Sequence, residues 1–160
     1  FRDINNVLSS AKRELFLSDN EWQQQGDEIL NAQLNKFDIN DIEKEKILED
    51  IYKFVNKLSK YKLPGLRSIQ NIVSTKSANN RERAELMVAM VRKAEFPARV
   101  VSGIELKDDP AASPVYWVEA YINERWISYY PGLSLKENST ANYITLDKYA
   151  ADLVSVSSET

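Results

Sequence analysis

The apolar positions of this chain change period part-way along it. Up to Leu58 they recur at helical spacing. Ile4, Val7, Leu8, Ala11 and Leu15 share one face of a first helix, and Trp22, Ile29, Leu30 and Leu34 share that of a second, capped by Ser18 or Asp19 and weakened in its middle by Gly26. Ile42, Ile47, Ile51, Phe54, Val55 and Leu58 form the stripe of a third helix, with Asp38 or Asn40 as its cap. The run Gln23-Gln24-Gln25 reads as a solvated face. Helices of this amphipathic kind are ordinary core-packing elements.

Leu63-Pro64-Gly65 is the sharpest break. It separates a helical lead-in, residues 1–63, from the remainder, 64–160, but it is too short for a free linker, so one domain over 1–160 is expected. A short helix over Leu66 to Ser74 and a loop over Thr75 to Asn79 lead to a central helix from about Ala78 to Ala94. Ser77 is its expected cap, and Ala84, Leu86, Ala89 and Met90 its buried side. Pro97 cannot continue a helix, and Val100, Val101 and Ile104 begin a strand. Val115 to Ile122 and Arg125 to Tyr130 read as two strands joined at Asn123-Glu124, with Trp117 and Glu119 on one face and Tyr116, Val118 and Ala120 on the other. Tyr143 to Leu146 is a further short strand, and Leu146 to Leu153 a turn of helix. The expected fold is α+β: the central helix packed on an antiparallel sheet, preceded by the N-terminal helices.

Composition narrows the chemistry. A net charge of −3, with Lys and Arg alternating with Asp and Glu, argues against nucleic acid or an anionic bilayer as partner. No apolar run approaches the length of a membrane span, so this domain is not expected to insert directly. The 160 residues contain neither Cys nor His, which removes disulfides, thiolate and imidazole metal ligands, and any Cys–His catalysis; no metal or cofactor is expected. Asp108-Asp109 before Pro110 reads as a turn device. Asn79-Asn80 at the start of the central helix could hold an anion on backbone N–H groups, although Asn also simply favours caps and turns.

The segment RERAELMVAMVRKAEFPARVVSG, Arg81 to Gly103, resembles the core of the transglutaminase-like superfamily, related to papain-like cysteine proteases. There a Cys opens a helix that ends near an Arg, followed by a Pro-Ala-Arg turn and a strand ending in Gly. Ala84, Arg92, Pro97-Ala98-Arg99 and Gly103 occupy those places. VYWVEAYINERWISYYPG resembles the family's second block, with a His before a Trp and Glu on one strand and an Asp just before a Pro on the next. Trp117, Glu119, Trp126 and Pro131 match, so the resemblance runs from about Asn71 to Gly132. Counted through these anchors, the Cys position falls on Asn80, the His position on Val115 and the Asp position on Tyr130. The resemblance therefore implies a degenerate triad and no enzymatic activity.

Inactive relatives of this kind occur as periplasmic, extracytoplasmic domains of bacterial inner-membrane proteins with seven transmembrane helices, often encoded near ATP-grasp peptide ligases and a protease-like partner. The resemblance thus implies a sensory or scaffolding module that binds a ligand, a protein or peptide, or another segment of its own membrane protein. Asn80, Tyr116, Trp117, Tyr129 and Tyr130 are the candidate binding residues, the outer aromatics and the Lys107–Pro114 loop being favoured because Val115 and Tyr130 would fill the old cleft. Tyr130 is expected to lean towards Val115 and Trp117, with its hydroxyl towards Asn80. The alternatives are a structural or oligomerisation module, and a hydrolase using Ser77 or Thr75 with Lys76 as base.

Overall fold

The computed structural model describes residues 7–37, 45–105, 114–133 and 143–145. Along the chain these form α1 (Ser10–Leu17), α2 (Glu21–Gln25), α3 (Asp27–Leu34), α4 (Lys46–Asn56), β1 (Ser59–Lys60), α5 (Ile69–Thr75), β2 (Ser77–Ala78), α6 (Asn80–Lys93), β3 (Ala98–Glu105), β4 (Pro114–Ile122), β5 (Arg125–Tyr129) and β6 (Tyr143–Thr145). The expected caps Asp38 and Asn40, the Lys107–Ser113 stretch and the Leu146–Leu153 turn lie outside the described residues.

The central helix α6 is buried nearly all round, at Glu82 to Ala84 and Leu86 to Val91. A helix with no wet stripe must be covered on several sides. α3 and α4 supply Leu30, Leu34, Leu48, Ile51 and Val55 from one side, and the sheet supplies Ala98, Val118, Ala120 and Ile122 from the other, in one continuous core. The sheet runs β5-β4-β3-β6, and every pair in it is antiparallel. Asn123 and Glu124 both take positive φ, 50° and 62°, the geometry that a two-residue hairpin needs to match strand twist. Alternation along β4 puts Val118 and Ala120 against α6. Trp117, Glu119 and Tyr121 fall on the opposite face, where Trp126 meets Tyr121 and Phe16 of α1.

Several local expectations are corrected. The first helix buries Phe16, while Ala11 and Leu15 of its expected stripe are exposed, because α1 lies on the far face of the sheet and docks there through one ring. Gly26 ends one helix and begins another: a Cβ there would lie 2.4 Å from Ile69 Cδ1, so the glycine permits close approach of α5. Gln23 is buried, not solvated, and together with Asn20, not Ser18 or Asp19, builds the capping box of α2. Ser77 does not cap α6. It belongs to β2, which pairs in parallel with β1, and the cap is Asn79.

Candidate functional site

The start of α6 is fixed by a dense polar network. Asn79 accepts from Glu82 N, and the Glu82 carboxylate accepts from Asn79 N, completing a capping box. Glu82 is 0% exposed, and it is compensated by Arg67, whose Nε and Nη2 reach its two oxygens at 2.9 and 3.0 Å while Arg67 N adds a further bond at 2.9 Å. The Arg67 guanidinium lies over the Tyr61 ring. Asn79 Nδ2 donates to the carbonyls of Leu63 and Gly65, so the same side chain clamps the Leu63-Pro64-Gly65 loop against the helix.

Asn80, the next residue, spends both ends of its carboxamide on one peptide unit. Its Nδ2 donates to Tyr116 O at 2.8 Å and its Oδ1 accepts from Tyr116 N at 2.7 Å. Strand geometry explains why that backbone is available. Tyr121 N–H points across to Pro97 O on the β3 side, so by alternation the Tyr116 groups point to the β5 side. β5 ends at Tyr129 opposite Val118 and leaves them without a strand partner. Asn80 takes the place of the missing strand.

Beside this joint lies an open cavity of about 380 Å³, walled by Pro64, Gly65, Asn79, Asn80, Arg81, Pro114 and Tyr116. Val115 and Tyr130, the groups expected to fill the old cleft, are not among the walls of this cavity. Val115 is half-buried opposite Gly103 of β3. Tyr130 stacks on Trp117 with ring centroids 6.0 Å apart, as expected, but on the sheet face away from α6; the carboxamide of Asn80 is engaged with Tyr116, not with the Tyr130 hydroxyl. Tyr129 is half-buried and packs on Tyr52 of α4; burial pushes its hydroxyl pKa up, with Glu49 and then Glu45 adding to the effect. Of the five candidate binding residues, Asn80 and Tyr116 meet at the cavity, Trp117 and Tyr130 form a separate pair, and Tyr129 stands against α4.

Charge is less evenly mixed than the sequence reading holds. Between Ile51 and Arg81 there are seven Lys and Arg and no Asp or Glu. Arg83, just after this segment, is buried, and its guanidinium donates to the carbonyls of Val55, Asn56 and Leu58 at the C-terminus of α4. Burial lowers its pKa, and the negative end of the α4 dipole offsets the cost of the charge. Gly132, at φ +74°, is needed beside it, because a Cβ there would meet Arg83 Cδ at 2.5 Å. Neither Arg83 nor the Glu82–Arg67 pair was anticipated. The Asn-x-x-Glu spacing of Asn79 and Glu82 was the available signal for the latter.

The other motif residues hold the scaffold. Arg92 donates through Nε and Nη2 to Ala98 O, tying the end of α6 to the start of β3. Arg99 and Glu119 face each other across β3 and β4 at 3.5 Å, both buried, with the guanidinium 3.7 Å over the Trp126 ring. Ser77 Oγ lies 2.9 Å from Thr75 Oγ1, and Lys76 beside them is exposed, in left-handed backbone at the end of α5. Among the described residues no group of three or more His, Cys, Asp or Glu converges on a point that could hold a metal. No helix among them is long and apolar enough to cross a membrane.

The family model for the transglutaminase-like superfamily core matches residues 31–131. The chain belongs to the transglutaminase-like superfamily. The match begins well before Asn71, so this transglutaminase-like core takes in the second half of α3 and all of α4, the helices that pack on α6. Solved structures agree on the fold. A candidate cysteine protease from Cytophaga hutchinsonii superposes with a TM-score of 0.61 at 18% identity over 86% of this chain and 46% of its own. The periplasmic domain of TgpA from Pseudomonas aeruginosa gives 0.56 at 20% identity over 79% of this chain and 48% of its own. A candidate protease from Parabacteroides distasonis gives 0.52 at 16% identity over 79% and 26%. This chain thus spans half or less of the length of these relatives. No curated protein sequence matches it.

Proposed function

We propose that this is a catalytically inactive transglutaminase-like domain whose cleft, at the N-terminus of α6, binds a polypeptide segment without turning it over, as an extracytoplasmic module of a membrane protein. The observation that carries the reading is the engagement of Asn80 with Tyr116. At the position where the family pattern places the nucleophile stands a carboxamide with no nucleophilic form near neutral pH, and both its ends are already hydrogen-bonded to the backbone. Val115 and Tyr130, at the other two positions, supply no imidazole and no carboxylate. The cavity beside Asn80 is open, and its walls include side chains suited to an extended chain: two prolines, a tyrosine ring and an arginine. The likeness to a periplasmic domain supports an extracytoplasmic setting.

An enzyme built on Ser77 or Thr75 is disfavoured by the exposure of Lys76, since a lysine base works when desolvation lowers its pKa. A purely structural module leaves the open cavity unexplained. The test is amide chemical-shift mapping with a peptide pool. The reading expects shifts confined to Gly65, Asn79 to Arg81 and Tyr116. Shifts confined to β6 or the α1 face, or none at all, would overturn it.

A further inference from the structure

We infer that the segment taken by this cleft is acidic: an extended peptide carrying carboxylates, held by a basic rim around the cavity. The inference rests on the reading of the cavity as a polypeptide site and adds the chemistry of its occupant. In an otherwise acidic chain, the charged side chains from Ile51 to Arg81 are all positive. Two parts of this stretch, Pro64-Gly65 and Asn79 to Arg81, form the cavity wall. Pairing of β1 with β2 sets Lys60 beside Ala78, one residue from the Asn79 cap. The bonds from Asn79 to the carbonyls of Leu63 and Gly65 bring Lys62 to the same rim, and Arg81 forms part of the wall. Lys60, Lys62 and Arg81 are exposed, and among the described residues none has a carboxylate within ion-pair distance. The carboxylate nearest in sequence, Glu82, is buried and neutralised by Arg67.

Arg81 lies over the Tyr116 ring, and Glu85 is the carboxylate that its charge influences. Cations with no salt bridge on the rim of a concave, proline- and tyrosine-walled cavity are complementary to a chain that alternates carboxylates with apolar or proline residues. Nucleic acid and anionic bilayers also seek cations. Against them stand the net charge of −3, which repels a large polyanion or charged surface at long range, and the placement of the cations around a concavity that a flat bilayer cannot enter.

The probe is a fluorescein-labelled heptapeptide, Glu-Pro-Glu-Tyr-Pro-Glu-Glu, with a control in which every Glu is Gln, followed by fluorescence anisotropy. The acidic peptide should bind about tenfold more tightly than the control, and its affinity should fall severalfold on raising salt from about 0.05 to about 0.3 M. Arg81→Gln and Lys62→Glu should each weaken it severalfold with the fold intact by circular dichroism, since both side chains are exposed. Tyr116→Leu, which keeps the backbone bonds to Asn80, should weaken both peptides. Equal binding of the two peptides overturns the acidic occupant but leaves the polypeptide site standing; binding of neither overturns both. Tighter binding of vesicles of mixed anionic and zwitterionic phospholipid, or of a single-stranded oligonucleotide, with indifference to Tyr116→Leu, overturns the inference in favour of those surfaces.

Discussion

The carboxamide of Asn80 and the backbone of Tyr116 are joined by a pair of hydrogen bonds, 2.8 and 2.7 Å long, that tie the first residue of α6 to β4 where β5 has run out. An amide side chain presents one donor and one acceptor in the arrangement of a peptide group, which a thiol cannot do. Asn80 is thus part of the scaffold. Asn80→Ala should cost about 1–3 kcal/mol by urea denaturation, because it strands both groups of Tyr116, and Asn80→Asp should retain the bond from Tyr116 N and lose the one to its carbonyl.

Arg83 should be less replaceable than its lack of an acidic partner suggests. Arg83→Met keeps the apolar stem but leaves the Val55, Asn56 and Leu58 carbonyls unsatisfied at the end of α4. A loss of about 2–4 kcal/mol in equilibrium unfolding is expected. A neutral outcome would mean that water replaces the guanidinium there.

In the centre of α6, Leu86 is fully buried between helices and sheet. Leu86→Ala should cost about 2–5 kcal/mol, with the melting temperature as the readout.

Glu85 gives the pH dependence. Burial raises its pKa, and Arg81 and then Arg92 oppose this without cancelling it. Between the ordinary Glu value and the raised one, the folded state holds a proton that the unfolded state releases. The contribution of Glu85 to stability is therefore present at low pH and lost as pH rises through that window. Glu85→Gln should flatten the stability–pH curve there, and the wild-type minus variant difference should decline with rising pH. A difference that climbs instead would contradict the assignment.

How far the chain was readable varies with the range of the interactions involved. The α6 helix, the Pro97 turn and the Asn123-Glu124 hairpin were legible because spacing, a fixed φ and a two-residue turn are local properties. Ser77 was mistaken for a cap because its real partner, Ser59, lies in a two-residue strand that no propensity marks. Phe16 replaced the expected face of α1 because the surface it docks on is assembled from β3 and β5. At the site, the place of Asn80 at the start of α6 was legible from helix spacing, but its bond to Tyr116 was not, since that depends on where β5 ends. The acid-free run before Glu82 was plainly visible in the sequence, but that Asn79 holds Leu63 and Gly65 against the start of α6, beside Arg81, was not.

Restoring the thiol should not restore chemistry. Asn80→Cys supplies a sulfur but no imidazole to take its proton, and triad members act as a unit. The variant should lose the Tyr116 bonds, and with them stability, without gaining turnover in a peptidase assay.

The most direct test of the central claim is intact-mass spectrometry of the purified domain incubated with a glutamine-containing peptide and a biotinylated primary amine, beside a heat-denatured control. An inert cleft predicts no acyl adduct on the protein, no peptide hydrolysis and no amine incorporation above the control. Incorporation or cleavage that exceeds the control and disappears in Asn80→Ala would contradict it.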